Sequence, residues 1–162
     1  MVNKNKNLDH DLSQYVVFSL KDQEFGINVL ESREIITIEE GLTNIPDSPS
    51  FVKGVINLRK EIIPIIDTEK KFGLNSDVDF ADKKVIIVSI QENLVGLLVD
   101  EVIEILRVEK ELISDAPEIV KNIKQKYISG IAKLEDRLLV LLDTKKLFSN
   151  KEIEKINNMD IK

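Results

Sequence analysis

Nucleophiles, metal ligands and phosphate cradles are what a chain needs for chemistry, and this sequence supplies few of them. Its one histidine, His10, stands in the polar opening stretch MVNKNKNLDHDLS, where a solvated side chain is the expectation. A Ser-His-Asp relay or an imidazole metal site would need that residue drawn into a pocket. Cysteine is absent, which removes disulfides, thiolate zinc sites, iron–sulfur clusters and Cys nucleophiles. The six glycines are single and dispersed, so no loop offers successive N–H groups to a phosphate. Asp77-Val78-Asp79 has alternating carboxylates but lacks the Gly and the later Glu of a calcium loop, and reads as a charged connection. Asp67 and Asp143 could be paired as acid and base. Each, however, follows an apolar run and precedes Thr and a lysine-rich segment, the pattern of a helix N-cap. The sequence predicts no catalytic centre, no metal and no cofactor.

The elements that would position any functional side chain are short. From Gln14 onward, β-branched runs alternate with polar or turn residues: 15–20, 35–38, 54–58, 61–66, 85–90, 94–99, 105–108 and 137–142. Many short strands at such spacing predict barrels or sandwiches. Aromatic residues make up only 5% of the chain and Trp is absent, so the core must be aliphatic. Pro64 inside an apolar run predicts an edge strand or a bulge. Ile153 and Ile156 among charged residues predict a short C-terminal helix or tail over 151–162, and residues 1–13 read as a flexible tail.

Net charge is −6, which disfavours phosphate backbones and anionic lipid surfaces, so neither nucleic acid nor direct membrane contact is expected. The densest basic stretch, 121–126, holds three lysines and reads as a solvated face. No run of about 18 apolar residues occurs, and no signal-like segment opens the chain, so a cytoplasmic location is the expectation.

An internal repeat organises the rest. Residues 18–39 align without gaps on 88–109, with Ser19, Gly26, Val29, Glu31, Glu34, Ile35 and Glu39 recurring as Ser89, Gly96, Val99, Glu101, Glu104, Ile105 and Glu109. Residues 51–72 align on 127–148, where Gly54, Leu58, Asp67, Thr68, Lys70 and Phe72 recur as Gly130, Leu134, Asp143, Thr144, Lys146 and Phe148. The larger offset of the second block implies a few residues gained near 118–126. Val99, Val102, Ile103 and Leu106 have helical spacing, yet both copies end in apolar/polar alternation (Ile36-Thr37-Ile38-Glu39 and Leu106-Arg107-Val108-Glu109). The repeat therefore predicts strand, one helical turn near 30–34, then strand. The halves differ where Arg59 and Lys60 occupy the positions of Glu135 and Asp136. That contrast implies that the fold needs no cation at this corner and leaves Arg59 open to an interface role or to that of an exposed turn residue.

The segment Phe51-Val52-Lys53-Gly54-Val55-Ile56-Asn57-Leu58-Arg59, continuing through Ile62-Ile63-Pro64-Ile65-Ile66-Asp67, resembles the signature of CheW-type chemotaxis coupling proteins. The Glu24-Phe25-Gly26-Ile27 turn, Glu34-Ile35, Ala116-Pro117 and Tyr127-Ile128-Ser129-Gly130 match as well, and the likeness spans about residues 14–148. The family usually has Gly where Lys60 stands, which bears on the turn there. The resemblance implies a mainly β fold of two five-stranded SH3-like β-barrels related by internal duplication, with short helices between and a C-terminal helix. The repeat halves would be about 14–80 and 81–150, with strands shared across the duplication.

The resemblance also implies a non-enzymatic adaptor that couples chemoreceptor cytoplasmic tips to the regulatory domain of the CheA histidine kinase, recruited to membrane receptor arrays. By position, the protein-binding residues would be Glu34, Ile35, Gly54, Arg59, Val85 and Ile86, with Ser32 and Lys84 adjoining. A helical tip would lay apolar anchors on Ile35, Val85 and Ile86 while Arg59 and Glu34 fix register. A scaffold of a related motility pathway and a small ligand-binding barrel are the alternatives.

Overall fold

The computed structural model describes residues 12–38, 42–74, 83–115 and 125–159. His10, the 77–79 stretch, Ala116-Pro117 and most of the inserted segment lie outside the described residues. Among the described residues eleven strands run β1 Leu12–Leu20, β2 Gln23–Asn28, β3 Ser32–Thr37, β4 Val52–Leu58, β5 Glu61–Ile66, β6 Lys84–Ile90, β7 Asn93–Val99, β8 Glu101–Glu109, β9 Ile113–Ser114, β10 Ile128–Lys133 and β11 Leu138–Leu142. Helix α1 is Thr68–Lys71 and α2 is Asn150–Asn157.

The strands form two SH3-like barrels. Barrel 1 is a six-stranded sheet in the order β8-β1-β2-β11-β10-β9, and barrel 2 a five-stranded sheet in the order β3-β6-β7-β5-β4. Under the repeat, β3, β6, β7, β5 and β4 correspond in turn to β8, β1, β2, β11 and β10, so the two orders are the same. Each barrel thus takes strands from both halves, and the midpoint of the repeat falls inside barrel 2. The sixth strand, β9, also has a first-half echo, the isolated bridge between Thr43 and Val55. In both barrels one parallel pairing, β2 with β11 or β7 with β5, joins strands of different halves.

The stretch of helical spacing is extended, with Val99 ending β7 and Val102, Ile103 and Leu106 in β8, as the repeat implied. The helical turn appears in the first copy alone, as a 3₁₀ turn Val29–Glu31 whose N-terminus Asn28 caps by accepting from the Leu30 N–H at 2.9 Å. The segment Glu24–Ile27 is strand, and the turn lies before it at Lys21-Asp22. Pro64 is on neither an edge strand nor a recorded bulge: β5 sits between β7 and β4. It is tolerated because pairing with β7 begins only at Ile65, leaving that side of the strand unpaired at Pro64. Asp67 and Asp143 are caps, accepting from the Lys70 and Lys145 backbone N–H groups at 3.1 and 3.0 Å.

Apolar packing falls into three clusters. Val17, Val108, Ala132, Leu139 and Leu141 fill barrel 1, and Ile63, Ile65, Val85, Ile87 and Leu98 fill barrel 2. Space in barrel 2 is tight enough that a Cβ on Gly96 would sit 2.6 Å from both Ile65 Cδ1 and Val85 Cγ1. The largest cluster lies between the barrels and includes Phe18, Phe25, Ile66, Phe72, Ile86, Val88, Leu97, Tyr127 and Phe148. Rings from repeat-equivalent positions meet there reciprocally: Phe51 with Phe148 at 5.6 Å and Tyr127 with Phe72 at 5.9 Å. A charged cluster closes one side of this junction. Lys83 donates to Glu69 at 3.1 Å and to Asp100, Lys21 Nζ lies 3.2 Å from Glu69, and the Lys21 N–H donates to Asp100 at 2.8 Å. Because the shared core exceeds either barrel interior, the two barrels pack as one body.

Helix α2 forms because Ser149 and Glu152 make a reciprocal capping box, at 3.1 Å for the Glu152 N–H and 2.9 Å for the Ser149 N–H. Its Ile153 and Ile156, one turn apart, are buried in the shared core. Each such side chain stabilises docking by roughly 1.5–3 kcal/mol.

Candidate protein-binding surface

Strands β3 and β4 are the two ends of the barrel 2 sheet, and a forked ion pair crosses between them. Arg59, in the β4–β5 turn, donates from Nη1 to Glu34 Oε1 at 2.6 Å and from Nη2 to Oε2 at 3.1 Å. Two parallel bonds fix the guanidinium plane as well as its position. The Arg59 side chain is 74% exposed and that of Glu34 29%, so the pair lies on the surface with the carboxylate partly sheltered. The bond to Glu34, then its charge, raises the Arg59 pKa above the ordinary arginine value.

The turn itself is a two-residue hairpin with both residues at positive φ, Arg59 at 50° and Lys60 at 72°. Leu58 and Glu61 pair on either side of it. This is the type I′ pattern, whose twist matches the strands it joins. Lys60 therefore keeps the backbone that a glycine would take, at a steric cost. The same geometry recurs at Lys21-Asp22 and Gln91-Glu92.

Ile35, the next residue of β3 and on the opposite face from Glu34, and Ile62 of β5 are exposed apolar side chains. Thr37 accepts from Lys84 Nζ at 3.0 Å, and Ser32 donates to the Val29 carbonyl at 3.0 Å, which secures both ends of β3. Glu34 and Arg59 are thus brought together at the surface, and Ile35 is exposed separately on the other face of β3. The other three sequence candidates are not on it. Val85 and Ile86 are both fully buried. One face of β6 lines the barrel 2 interior, where Val85 packs, and the other lines the shared core, where Ile86 packs. They cannot serve as anchors that a partner touches in this conformation. Gly54 is buried too, and a Cβ there would stand 2.7 Å from the Thr43 carbonyl oxygen. Its role is close backbone approach, at a φ that is not positive.

Barrel 1 carries a counterpart that sequence reasoning missed. Glu104, the equivalent of Glu34, accepts from Arg137 Nη2, and Arg137 Nε also lies 3.1 Å from Glu24. The bond that Arg137 donates to Glu104 is the first cause of its raised pKa. Ile105 and Leu138, the equivalents of Ile35 and Ile62, are exposed, as is Ile103. The inference that this corner needs no cation fails, because the arginine has moved two positions. The signal was in the alignment: Arg59-Lys60-Glu61 stands opposite Glu135-Asp136-Arg137, so the arginine and glutamate exchange places across the turn.

Among the described residues, no group of three or more His, Asp or Glu could hold a metal ion, and no helix is long and apolar enough to cross a membrane. Compared with known proteins, residues 14–152 match the model of the CheW-like domain. The chain belongs to the CheW-like family. Among its CheW relatives, the chemotaxis protein CheW of Klebsiella aerogenes is 35% identical over 147 residues, covering 90% of this chain and 87% of that one. The probable chemotaxis protein CheW of Rhizobium etli is 35% identical over 149 residues, covering 92% and 96%. In three dimensions the CheW-like barrels resemble the crystal structure of the scaffolding protein TtCheW from Thermoanaerobacter tengcongensis, with a TM-score of 0.76 and 34% identity over 86% of this chain and 90% of that one.

Proposed function

We propose that the protein is a non-enzymatic chemotaxis adaptor that couples chemoreceptor cytoplasmic tips to the CheA histidine kinase. The observation that carries this reading is the pair of equivalent surface ion pairs on one body, Glu34–Arg59 on barrel 2 and Glu104–Arg137 on barrel 1, each on a barrel that also exposes apolar side chains, Ile35 and Ile62 or Ile105 and Leu138. Each barrel thus offers a register-fixing ion pair and exposed apolar side chains, the two kinds of contact that helix and sheet partners use. The relatives' names as chemotaxis proteins and as a scaffolding protein supply the pathway. In this reading the barrel 2 surface takes the receptor tip through Glu34, Ile35 and Arg59, while Gly54, Val85 and Ile86 support it from beneath. The kinase regulatory domain, of related fold, uses a separate surface. In this reading the protein acts at receptor arrays from the cytoplasmic side.

The ligand-binding barrel is the weaker reading, because both barrel interiors are filled by aliphatic side chains. A related motility pathway would use the same surfaces with a different receptor. The deciding experiment is a three-component sedimentation with a receptor cytoplasmic fragment and the kinase regulatory domain. Both partners should sediment together through the adaptor. Mutual exclusion of the two would refute coupling.

A further inference from the structure

The two halves diverge in sequence after Phe72 and Phe148. Phe72 is followed by Gly73 at φ 86° as α1 ends, whereas its equivalent Phe148 is followed by Ser149 and the capping box. The chain leaves barrel 1 at β11, yet the helix it then forms lies on barrel 2. Asn150 accepts from Gln91 Nε2 at 3.5 Å in the β6–β7 turn, and Glu152 pairs with Lys71 of α1, directly after β5. Ile156 and Asn157 share a cleft of about 250 Å³ with Ile62 and Pro64 of β5 and Leu94 of β7.

Lys71 is a second break in the symmetry, since its equivalent is Leu147. Its side chain is 7% exposed, and its ammonium stands 4.7 Å from the Phe51 ring, 5.1 Å from Phe148 and 5.5 Å from Tyr127. Phe51 leads into β4 of barrel 2, and Tyr127 leads into β10 of barrel 1. The cage is therefore built from both barrels. Ring faces attract a cation, but a buried ammonium still needs a counter-charge, and Glu152 of α2 provides it at 2.5 Å. A lysine stands where the pseudo-equivalent site has a leucine, and its counter-charge comes from α2, at the end of the second half.

We propose that α2 is a strap that crosses from barrel 1 to barrel 2 and locks their relative orientation, with the caged Lys71–Glu152 pair as its catch. Packed domains rock against one another by default unless their interface is large and apolar, and the strap adds a hold at the rim of that interface. The separation and angle of the two surface patches are then fixed by α2.

The absence of cysteine makes a clean test available. Asn57→Cys and Lys133→Cys, exposed and repeat-equivalent, place one spin label on each barrel. The full chain should give one narrow distance distribution. In a chain ending at Ser149 its width should roughly double, while the amides of β7 and β11 stay protected from exchange. Full-length Glu152→Gln retains the capping box and both isoleucines but leaves Lys71 without its counter-charge, and should broaden the distribution partway. Adding Lys71→Leu should narrow it again. An unchanged width after truncation overturns the strap. So does loss of protection in both sheets together, because α2 would then be needed for the sheets to fold and not for their orientation. Failure of Lys71→Leu to narrow the Glu152→Gln distribution overturns the catch.

Discussion

Arg59 and Glu34 join the two ends of a sheet whose terminal strands, β4 and β3, are not hydrogen-bonded neighbours. The pair is exposed, and exposed pairs contribute little to stability. Arg59→Ala should accordingly move the Tm by less than about 2 °C. Its affinity for one partner, the receptor fragment in our reading, should fall about tenfold or more if Arg59 anchors the contact. Thermal unfolding of the free protein and separate titrations with each partner make the check. Unaltered affinity for both would return Arg59 to a solvated turn.

At Lys60 the backbone favours glycine. A non-glycine residue at φ 72° carries a cost of about 1–2 kcal/mol, part of which glycine recovers against its greater unfolded-state freedom. Lys60→Gly should raise stability by about 0.5–1 kcal/mol in urea unfolding. A lower midpoint would mean that the lysine side chain holds the turn.

Gly54 makes the opposite case. A methyl group there meets the Thr43 carbonyl oxygen, and the Thr43–Val55 bridge, with bonds of 2.9 and 3.1 Å, would have to open. Gly54→Ala should cost roughly 1–3 kcal/mol, read as a shifted urea midpoint. A binding defect at unchanged midpoint would place Gly54 in contact with a partner instead.

The junction charges set a pH dependence. Burial alone would raise the Asp100 pKa, but the bond from Lys83 and the Lys21 N–H hold it below the usual aspartate value. Glu152 is likewise lowered: the bonds from Lys71 and Ser149 outweigh its burial. A lowered folded-state pKa gives stability that is fully present above the unfolded value, near 4, and is lost as pH falls through the folded value. Burial would lower Lys83, but Asp100 and Glu69 raise it, so its contribution is lost only as pH climbs past the ordinary lysine range. Urea midpoints should decline below about pH 4, and less steeply in Asp100→Asn. Equal slopes in the two proteins would show that Asp100 carries none of this dependence.

The repeat made much of the fold legible, because apolar alternation and duplicated Gly, Asp-Thr and Phe positions reflect packing that both halves share. It resolved β8 against its helical spacing. Val85 and Ile86 show the limit. A strand buried on both faces reads as an unbroken apolar run, and a run of that kind does not reveal whether a side chain meets a partner or a core. Pro64 misled for a related reason, since strand order depends on pairings between distant segments. The Arg137 pair was written in the alignment, but as an exchange of two residues rather than as identity.

Barrel 2 is built from one uninterrupted stretch, Ser32 to Val99, whereas barrel 1 joins the first two strands to the last four. On the ribosome, therefore, barrel 2 can close while the later strands are still being made. The β1–β2 hairpin must meanwhile wait for β8 and β11, its barrel 1 face uncovered and its outer edges unpaired. Synthesis proceeds at roughly 5–20 residues per second, so that wait lasts seconds. The interval is when this chain is most open to aggregation or to capture by a chaperone, and it is set by the exchange of strands between halves rather than by the strength of any contact in the finished molecule.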